Sequence, residues 1–80
     1  MTISILRPRE VFQTRRRSRS STYGDVKAGV LSPPIKIGPR ASGWPAHEID
    51  AINAARVAER TDDEIRELVK RLVAARRSAA

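Results

Sequence analysis

Residues 14–29 read TRRRSRSSTYGDVKAG, and this stretch decides the fold predicted for the whole chain. Its first part, residues 14–19, interrupts the apolar pattern that precedes it, which predicts a tight turn. Ser18 is a favourable helix N-cap residue, so a second helix is predicted to begin within two residues of it and to run to about residue 28. Gly29 then supplies the left-handed conformation in which such a helix ends.

A short helix is predicted before this turn, over residues 5–13. Pro8 suits its first turn, and Leu6, Val11 and Phe12 are spaced so that they can share an inward face. In the helix after the turn, we expect Tyr23 to be half-buried and Val26 to be buried. The more exposed positions are predicted to be Ser20, Ser21, Asp25 and Lys27. That second helix is rich in Ser, Thr and Gly, which are weak helix formers, so we expect it to depend on packing and on a bound ligand.

A β-hairpin is predicted after the extended Ser-Pro-Pro linker at residues 32–34. Residues 35–37 alternate apolar and basic side chains, as a strand does. Residues 38–43 are rich in turn formers, and Trp44 indicates a return strand. The pattern therefore predicts a small two-stranded hairpin with Arg40 at its tip.

Two further helices are predicted in the second half of the chain. Pro45 suits the first position of a third helix, read over residues 46–60, with Glu48 near its positive N-terminal end. Residues 61–64, TDDE, form a capping box that opens a fourth helix. This helix carries an apolar stripe at helical spacing, formed by Ile65, Leu68, Val69, Leu72 and Val73. We expect one domain over residues 1–60 and a C-terminal amphipathic helix over residues 61–80, packed on that domain or used for dimerisation.

The net charge of +7 lies entirely in the first half of the chain. Residues 1–40 carry nine Arg or Lys and two acidic residues, whereas residues 41–80 carry seven of each sign. A basic half beside a neutral half presents one positive surface, and nucleic acid is the commonest partner of such a surface.

Composition excludes several classes of protein. The chain has no Cys and one His, so disulfides and a structural zinc site are excluded, and neither a metal nor a cofactor is predicted. His47 has no catalytic partner in sequence and no Gly-rich phosphate loop is present, so we expect no enzyme and no catalytic residues. No apolar run suits a signal peptide or a membrane span. The sequence predicts a soluble, intracellular protein.

The order of helix, tight turn, capped helix, basic hairpin and third helix predicts a winged helix-turn-helix. Four groups of residues also match a known family: ILR and EV at residues 5–11, SRSSTY and KAG at 18–29, PIKIGPR at 34–40, and GWP with EID at 43–50. The chain resembles AlpA-type prophage regulators, which are related to phage excisionases and to the DNA-binding part of MerR regulators. The resemblance implies a mainly α, MerR/excisionase-like winged helix-turn-helix with a two-stranded wing and an extra C-terminal helix.

The resemblance also implies a function. It indicates a sequence-specific double-stranded DNA-binding protein of a phage or mobile element. Such a protein acts as a transcriptional regulator, or as an excisionase (recombination directionality factor) that bends attachment-site DNA. Its expected partners are double-stranded DNA, a phage integrase, and further copies of itself as a homodimer or a cooperative array on DNA. Its expected location is the cytoplasm of a bacterial host, at the nucleoid.

Two departures from the family pattern lie inside residues 14–29. Arg16-Arg17 stand where many members have Gly-Leu, which costs stability if the first position requires a positive φ. Gly24-Asp25 stand where Arg-Leu is frequent. An exposed Asp25 would repel phosphate, although it could accept a hydrogen bond from cytosine N4.

The predicted DNA contacts share a position in the turn, the second helix or the wing. Ser18 places a helix N-terminus where phosphate can bind, and short side chains after it permit close approach to bases. Arg19 suits guanine or phosphate, and the wing tip suits an adjacent minor groove. The full predicted set is Arg15, Arg16, Arg17, Ser18, Arg19, Ser20, Ser21, Tyr23, Lys27, Lys36 and Arg40.

Simpler interpretations accompany these. The three arginines at 15–17 could be a solvated charge run. Trp44 could stack on a ligand, although a core role is favoured, and the apolar stripe of the fourth helix could be core or a dimer seam. Two other functions stay open from the sequence: a non-specific basic module that binds RNA or the nucleoid, and an anti-repressor-type protein-interaction module.

Overall fold

The computed structural model describes residues 4–78 of the chain. Within these residues it contains three strands and four helices that form a winged helix-turn-helix. In chain order they are β1 (Ile5–Leu6), α1 (Pro8–Arg15), α2 (Arg19–Ala28), β2 (Ile35–Gly38), β3 (Ala41–Pro45), α3 (Ala46–Val57) and α4 (Asp62–Ser78). The predicted fold class is confirmed.

The helix-turn-helix is made by α1, α2 and a left-handed turn between them. Arg16 ends α1 with φ 57° and ψ 38°, and the backbone N–H of Arg17 donates to the Phe12 carbonyl oxygen at 3.1 Å. The position where many family members carry glycine therefore does require a positive φ. A non-glycine residue in this region is strained by its Cβ, so Arg16 is held there against its own preference.

Both ends of α2 lie where the sequence predicts them. The Ser18 hydroxyl oxygen accepts a hydrogen bond from the Ser21 backbone N–H at 3.1 Å, which is the geometry of an N-cap. Gly29 ends the helix with φ 84°. Tyr23 is 36% exposed, as expected for a half-buried position, whereas its neighbour Thr22 is fully buried, which the sequence did not indicate.

The first helix begins later than predicted, because residues 5–7 are not helical. Ile5 and Leu6 form β1, which pairs antiparallel with β3 and aligns Leu6 with Trp44. Arg7 precedes Pro8 and is extended (φ −73°, ψ 158°), as residues before proline generally are. The helix then continues to Arg15, two residues beyond its predicted end.

The three strands form an antiparallel sheet in the order β1-β3-β2. The predicted hairpin is β2 and β3, and Arg40 lies at its tip. The return strand starts at Ala41, earlier than predicted, so the turn contains only Pro39 and Arg40. Gly43 lies under β1: a Cβ there would be 2.7 Å from the Leu6 carbonyl oxygen, so this strand pairing requires glycine.

Trp44 lies in the core, as predicted. Its side chain is fully buried, and its indole N–H donates to the Ser32 carbonyl oxygen at 2.7 Å. The Tyr23 ring packs on it with a centroid distance of 5.8 Å. The buried apolar residues are Val11, Val30, Leu31, Trp44, Ile49, Ile52, Ile65 and Val69.

The third helix begins at Ala46, where the predicted range begins, and Pro45 is its N-cap rather than its first residue. It ends at Val57, earlier than the predicted 46–60, and Glu59 then takes φ 57°. The predicted capping box of α4 is present: Glu64 accepts from the Thr61 backbone N–H at 3.0 Å and donates its own N–H to the Thr61 hydroxyl at 3.2 Å.

A buried ion pair joins α4 to the rest of the fold. Glu48 is fully buried, and both of its carboxylate oxygens accept from Arg76, at 2.6 and 2.8 Å. Arg76 also donates to the Pro33 carbonyl oxygen at 2.8 Å. The sequence analysis placed Glu48 only at a helix N-terminus and missed this pair, because the two residues are 28 positions apart.

We expect Trp44→Ala to destabilise the fold by about 3–5 kcal/mol, because it empties the centre of a small core. Thermal melting followed by circular dichroism measures this. Val57→Ala is a matched control, since Val57 is 85% exposed and its truncation should leave the melting midpoint nearly unchanged. A Trp44→Ala protein with the wild-type midpoint would contradict the core assignment.

Arg16→Gly should stabilise the fold by about 1 kcal/mol, because glycine adopts a positive φ without the steric cost of a Cβ. Arg16→Ala removes the same charge but keeps the Cβ, so it serves as the control and should give no such gain. Equal melting midpoints for the two variants would show that charge, rather than backbone strain, governs this position.

Candidate nucleic-acid interface

One face of α2 is open to solvent and carries the predicted reading residues. Ser20, Tyr23, Gly24 and Lys27 are exposed along it, and Arg19 is exposed at its N-terminal edge. We call these five residues the α2 face. The opposite side of the helix is turned inward, so α2 can present this face to a ligand without unpacking.

The N-terminal end of α2 adds hydrogen-bond donors to the α2 face. The first N–H groups of a helix have no intrahelical partners and attract anions. Ser18 is exposed and satisfies the N–H of Ser21, which is itself half-buried. The backbone N–H groups of Arg19 and Ser20 lie at the N-terminal tip of α2, where they can bind a phosphate oxygen.

The three arginines of the turn have different surroundings. Arg16 is exposed. The Arg17 side chain is 47% exposed and forms an ion pair with Asp25 at 3.0 Å. The Arg15 side chain is only 4% exposed, and its guanidinium lies 2.8 Å from the Asp25 carboxylate. Arg15 is thus turned away from any ligand at the surface, and it holds α1 against α2 instead.

Asp25 is a structural residue of the helix-turn-helix, and the expectation that it is exposed is wrong. Its side chain is 14% exposed and accepts hydrogen bonds from Arg15 and Arg17. Burial raises the pKa of Asp25, but the hydrogen bonds and charges of the two guanidinium groups outweigh this and hold the pKa below its usual value. Asp25 therefore stays ionised, and its carboxylate points to the two guanidinium groups of the turn rather than to the α2 face.

The wing carries two exposed cations. Lys36 lies on β2 opposite Ser42, and Arg40 occupies the turn. The wing is coupled to α2 through the Trp44 ring of β3, which contacts Tyr23. Tyr23 also packs edge-on against Phe12 of α1, with centroids 6.2 Å apart. Tyr23 consequently braces α2 while leaving part of its ring on the α2 face.

A cavity of about 540 Å³ lies between α2, α3 and the start of α4. Its lining includes arginines whose guanidinium groups are all engaged. Arg56 pairs with Asp62 at 3.1 Å, and Arg66 pairs with Asp63 at 2.9 Å while donating to a backbone carbonyl of α2. The cavity lining therefore keeps a net positive charge, with four arginines against two aspartates, but every guanidinium in it already has a carboxylate partner.

Two other properties bear on function. Among residues 4–78, no group of three or more His, Asp or Glu side chains is arranged to hold a metal ion. Over the same residues, none of the helices has the length and apolar character that crossing a membrane requires.

The role of Asp25 is the main feature of this site that the sequence analysis missed. A usable signal was present: Asp25 is the single acidic residue of the segment 14–29, which also holds three consecutive arginines. A lone carboxylate among cations is commonly an internal ion-pair partner, because an unpaired buried charge is costly. The spacing alone could not say which arginine it pairs with.

The comparisons with known proteins agree with this geometry. The family model described as Prophage CP4-57 regulatory protein (AlpA) matches residues 4–56, about two thirds of the chain. No curated protein sequence and no solved structure gives a significant match. The matched segment contains the turn, α2 and the wing, whereas α4 lies beyond it. The chain therefore belongs to the AlpA family of prophage regulatory proteins, which indicates a regulatory DNA-binding protein.

Proposed function

We propose that this protein is a sequence-specific double-stranded DNA-binding protein of a phage or mobile element that places α2 in the major groove. The observation that carries this proposal is the arrangement of charge on α2. Arg19 and Lys27 are exposed with short polar residues beside them, whereas the one carboxylate of the helix is turned inward and neutralised. Within a family of prophage regulators, such a surface suits the phosphate walls and base edges of a groove.

Seven of the eleven predicted contacts have distinct roles in this arrangement. Arg19 donates to guanine O6 and N7 or to phosphate, and Ser20 lets the helix approach the bases closely. Arg16 and Arg17 bind phosphates beside the N-terminus of α2. Arg15 contributes indirectly, because its ion pair holds the Asp25 carboxylate away from the α2 face. Lys36 and Arg40 of the wing bind an adjacent minor groove, where a narrow groove attracts arginine.

We further propose that the protein acts by binding alone, without catalysis, in the cytoplasm of a bacterial host. An excisionase bends attachment-site DNA and assists a phage integrase, whereas a regulator needs only to occupy a promoter. Both roles use the same DNA-binding surface, and both allow a homodimer or a cooperative array on DNA. Gel mobility of circularly permuted duplexes tests bending, and excision in the presence of the integrase tests the recombination role.

A selection from a random-sequence duplex library tests sequence-specific binding itself. The proposal predicts an enriched sequence that binds more tightly than random duplex and than single-stranded RNA. Equal affinity for all three would indicate a non-specific basic module. Binding to a partner protein that survives high salt, without DNA binding, would indicate an anti-repressor-type interaction module.

Binding to the selected duplex should weaken steeply with salt. If five or six of the exposed cations at positions 16–40 contact phosphates, the logarithm of the binding constant should fall with the logarithm of salt concentration with a slope of about −5. Lys70→Ala is the control, because Lys70 lies on α4 and should not affect the slope. A slope near zero would contradict the electrostatic contribution.

Arg19→Ala should weaken specific binding by roughly 1–3 kcal/mol and relax the preference at one base step. Arg40→Ala should also weaken binding, but any lost preference should concern A·T-rich flanking sequence rather than one base pair. Fluorescence anisotropy on systematically substituted duplexes separates the two effects. Wild-type affinity in the double variant would reject the proposed docking.

A further inference from the structure

Gly24 is a helical glycine that the fold does not require. A Cβ built at Gly24 would have no heavy atom within 4 Å, and its backbone conformation is that of the surrounding helix. The contrast with two other glycines is clear: Gly29 needs its φ of 84°, and Gly43 would clash with β1. Apart from proline, glycine is the least favourable residue inside a helix, so α2 is weakened at Gly24 with no internal gain.

The position of Gly24 on α2 points to a functional reason for this loss of helix stability. It lies one turn after Ser20 and one turn before Lys27, near the middle of the α2 face, whereas Thr22 on the opposite side is fully buried. At Gly24 the backbone of α2 is exposed to solvent without a side chain to cover it. A recognition helix meets the floor of the major groove along the middle of its exposed face, where a single carbon atom changes the distance between backbone and bases.

We infer that Gly24 sets how closely α2 approaches DNA, and that the space left by its missing side chain takes the edge of a base pair. This rests on the proposed function and adds a specificity-determining residue to it. The cations of the α2 face, Arg19 and Lys27, lie toward the two ends of the helix, away from Gly24. The centre is therefore left for base edges, which carry sequence information, rather than for the backbone.

Gly24→Ala tests this, because the fold and the complex should respond in opposite directions. The variant should melt about 4–8 °C higher than the wild type, since alanine is the better helix former. Its Kd for the duplex selected by the wild-type protein should rise about tenfold or more, the cost of disturbing one base-pair contact. Its Kd for random duplex and its salt slope should change little, because non-specific binding is electrostatic. Gly24→Leu should enlarge the loss of specific binding.

Glu59→Gly is the matched control for a change in stability. Glu59 has φ 57° in the connection before α4, so glycine there should raise the melting temperature away from α2. The ratio of specific to random affinity should stay at the wild-type value in this control.

Four outcomes would overturn the inference. A lower melting temperature for Gly24→Ala would assign the glycine to the fold. Equal weakening on selected and random duplex would assign it to the DNA backbone. Unchanged binding to the selected duplex would remove any role for Gly24 while leaving the proposed function intact. If the wild-type protein selected no sequence at all, the proposed function would fail, and the inference with it.

Discussion

The burial of Trp44 is the interaction on which the other parts of the fold depend. Its strand β3 pairs with both β1 and β2, its ring supports Tyr23 of α2, and its indole N–H satisfies the carbonyl oxygen of Ser32. The wing, α2 and the linker between them therefore all contact one side chain. In a domain of this size the core is marginal, so a single large aromatic residue supplies much of the apolar burial.

The fourth helix is held by a different kind of interaction. Ile65 and Val69 enter the common core, but Glu48 and Arg76 also form an ion pair whose carboxylate is fully buried. Desolvation of such a pair offsets much of its attraction, so its contribution to stability is small compared with the cost of losing either partner. What the pair fixes is register: the carboxylate accepts two hydrogen bonds from one guanidinium, and a helix shifted by a turn could not make them.

Local rules gave most of the architecture, and the errors lie where contacts are remote in sequence. Ser18 and Gly29 set the ends of α2 through capping, which needs only neighbouring residues. Ile5 and Leu6 suit a helix or a strand equally well, and only pairing with a strand some forty residues later decides between them. The role of Asp25 was hard to predict for the same reason. Asp25 forms internal ion pairs only because the turn between α1 and α2 brings Arg15 and Arg17 close to it.

The ion pairs of the two halves of the chain explain why the positive charge of the protein is presented mainly by its first half. The cations of the second half are largely neutralised within it, as in the pair of Arg56 with Asp62 and that of Lys70 with Glu67. In the first half Asp25 offsets only one of the three positive charges of the turn, and within the described residues no ion pair is formed by Arg16, Arg19, Lys27, Lys36 or Arg40. At the tip of α2 the charge of Arg19 adds to the positive end of the helix dipole, and the two effects reinforce each other at one end of the α2 face.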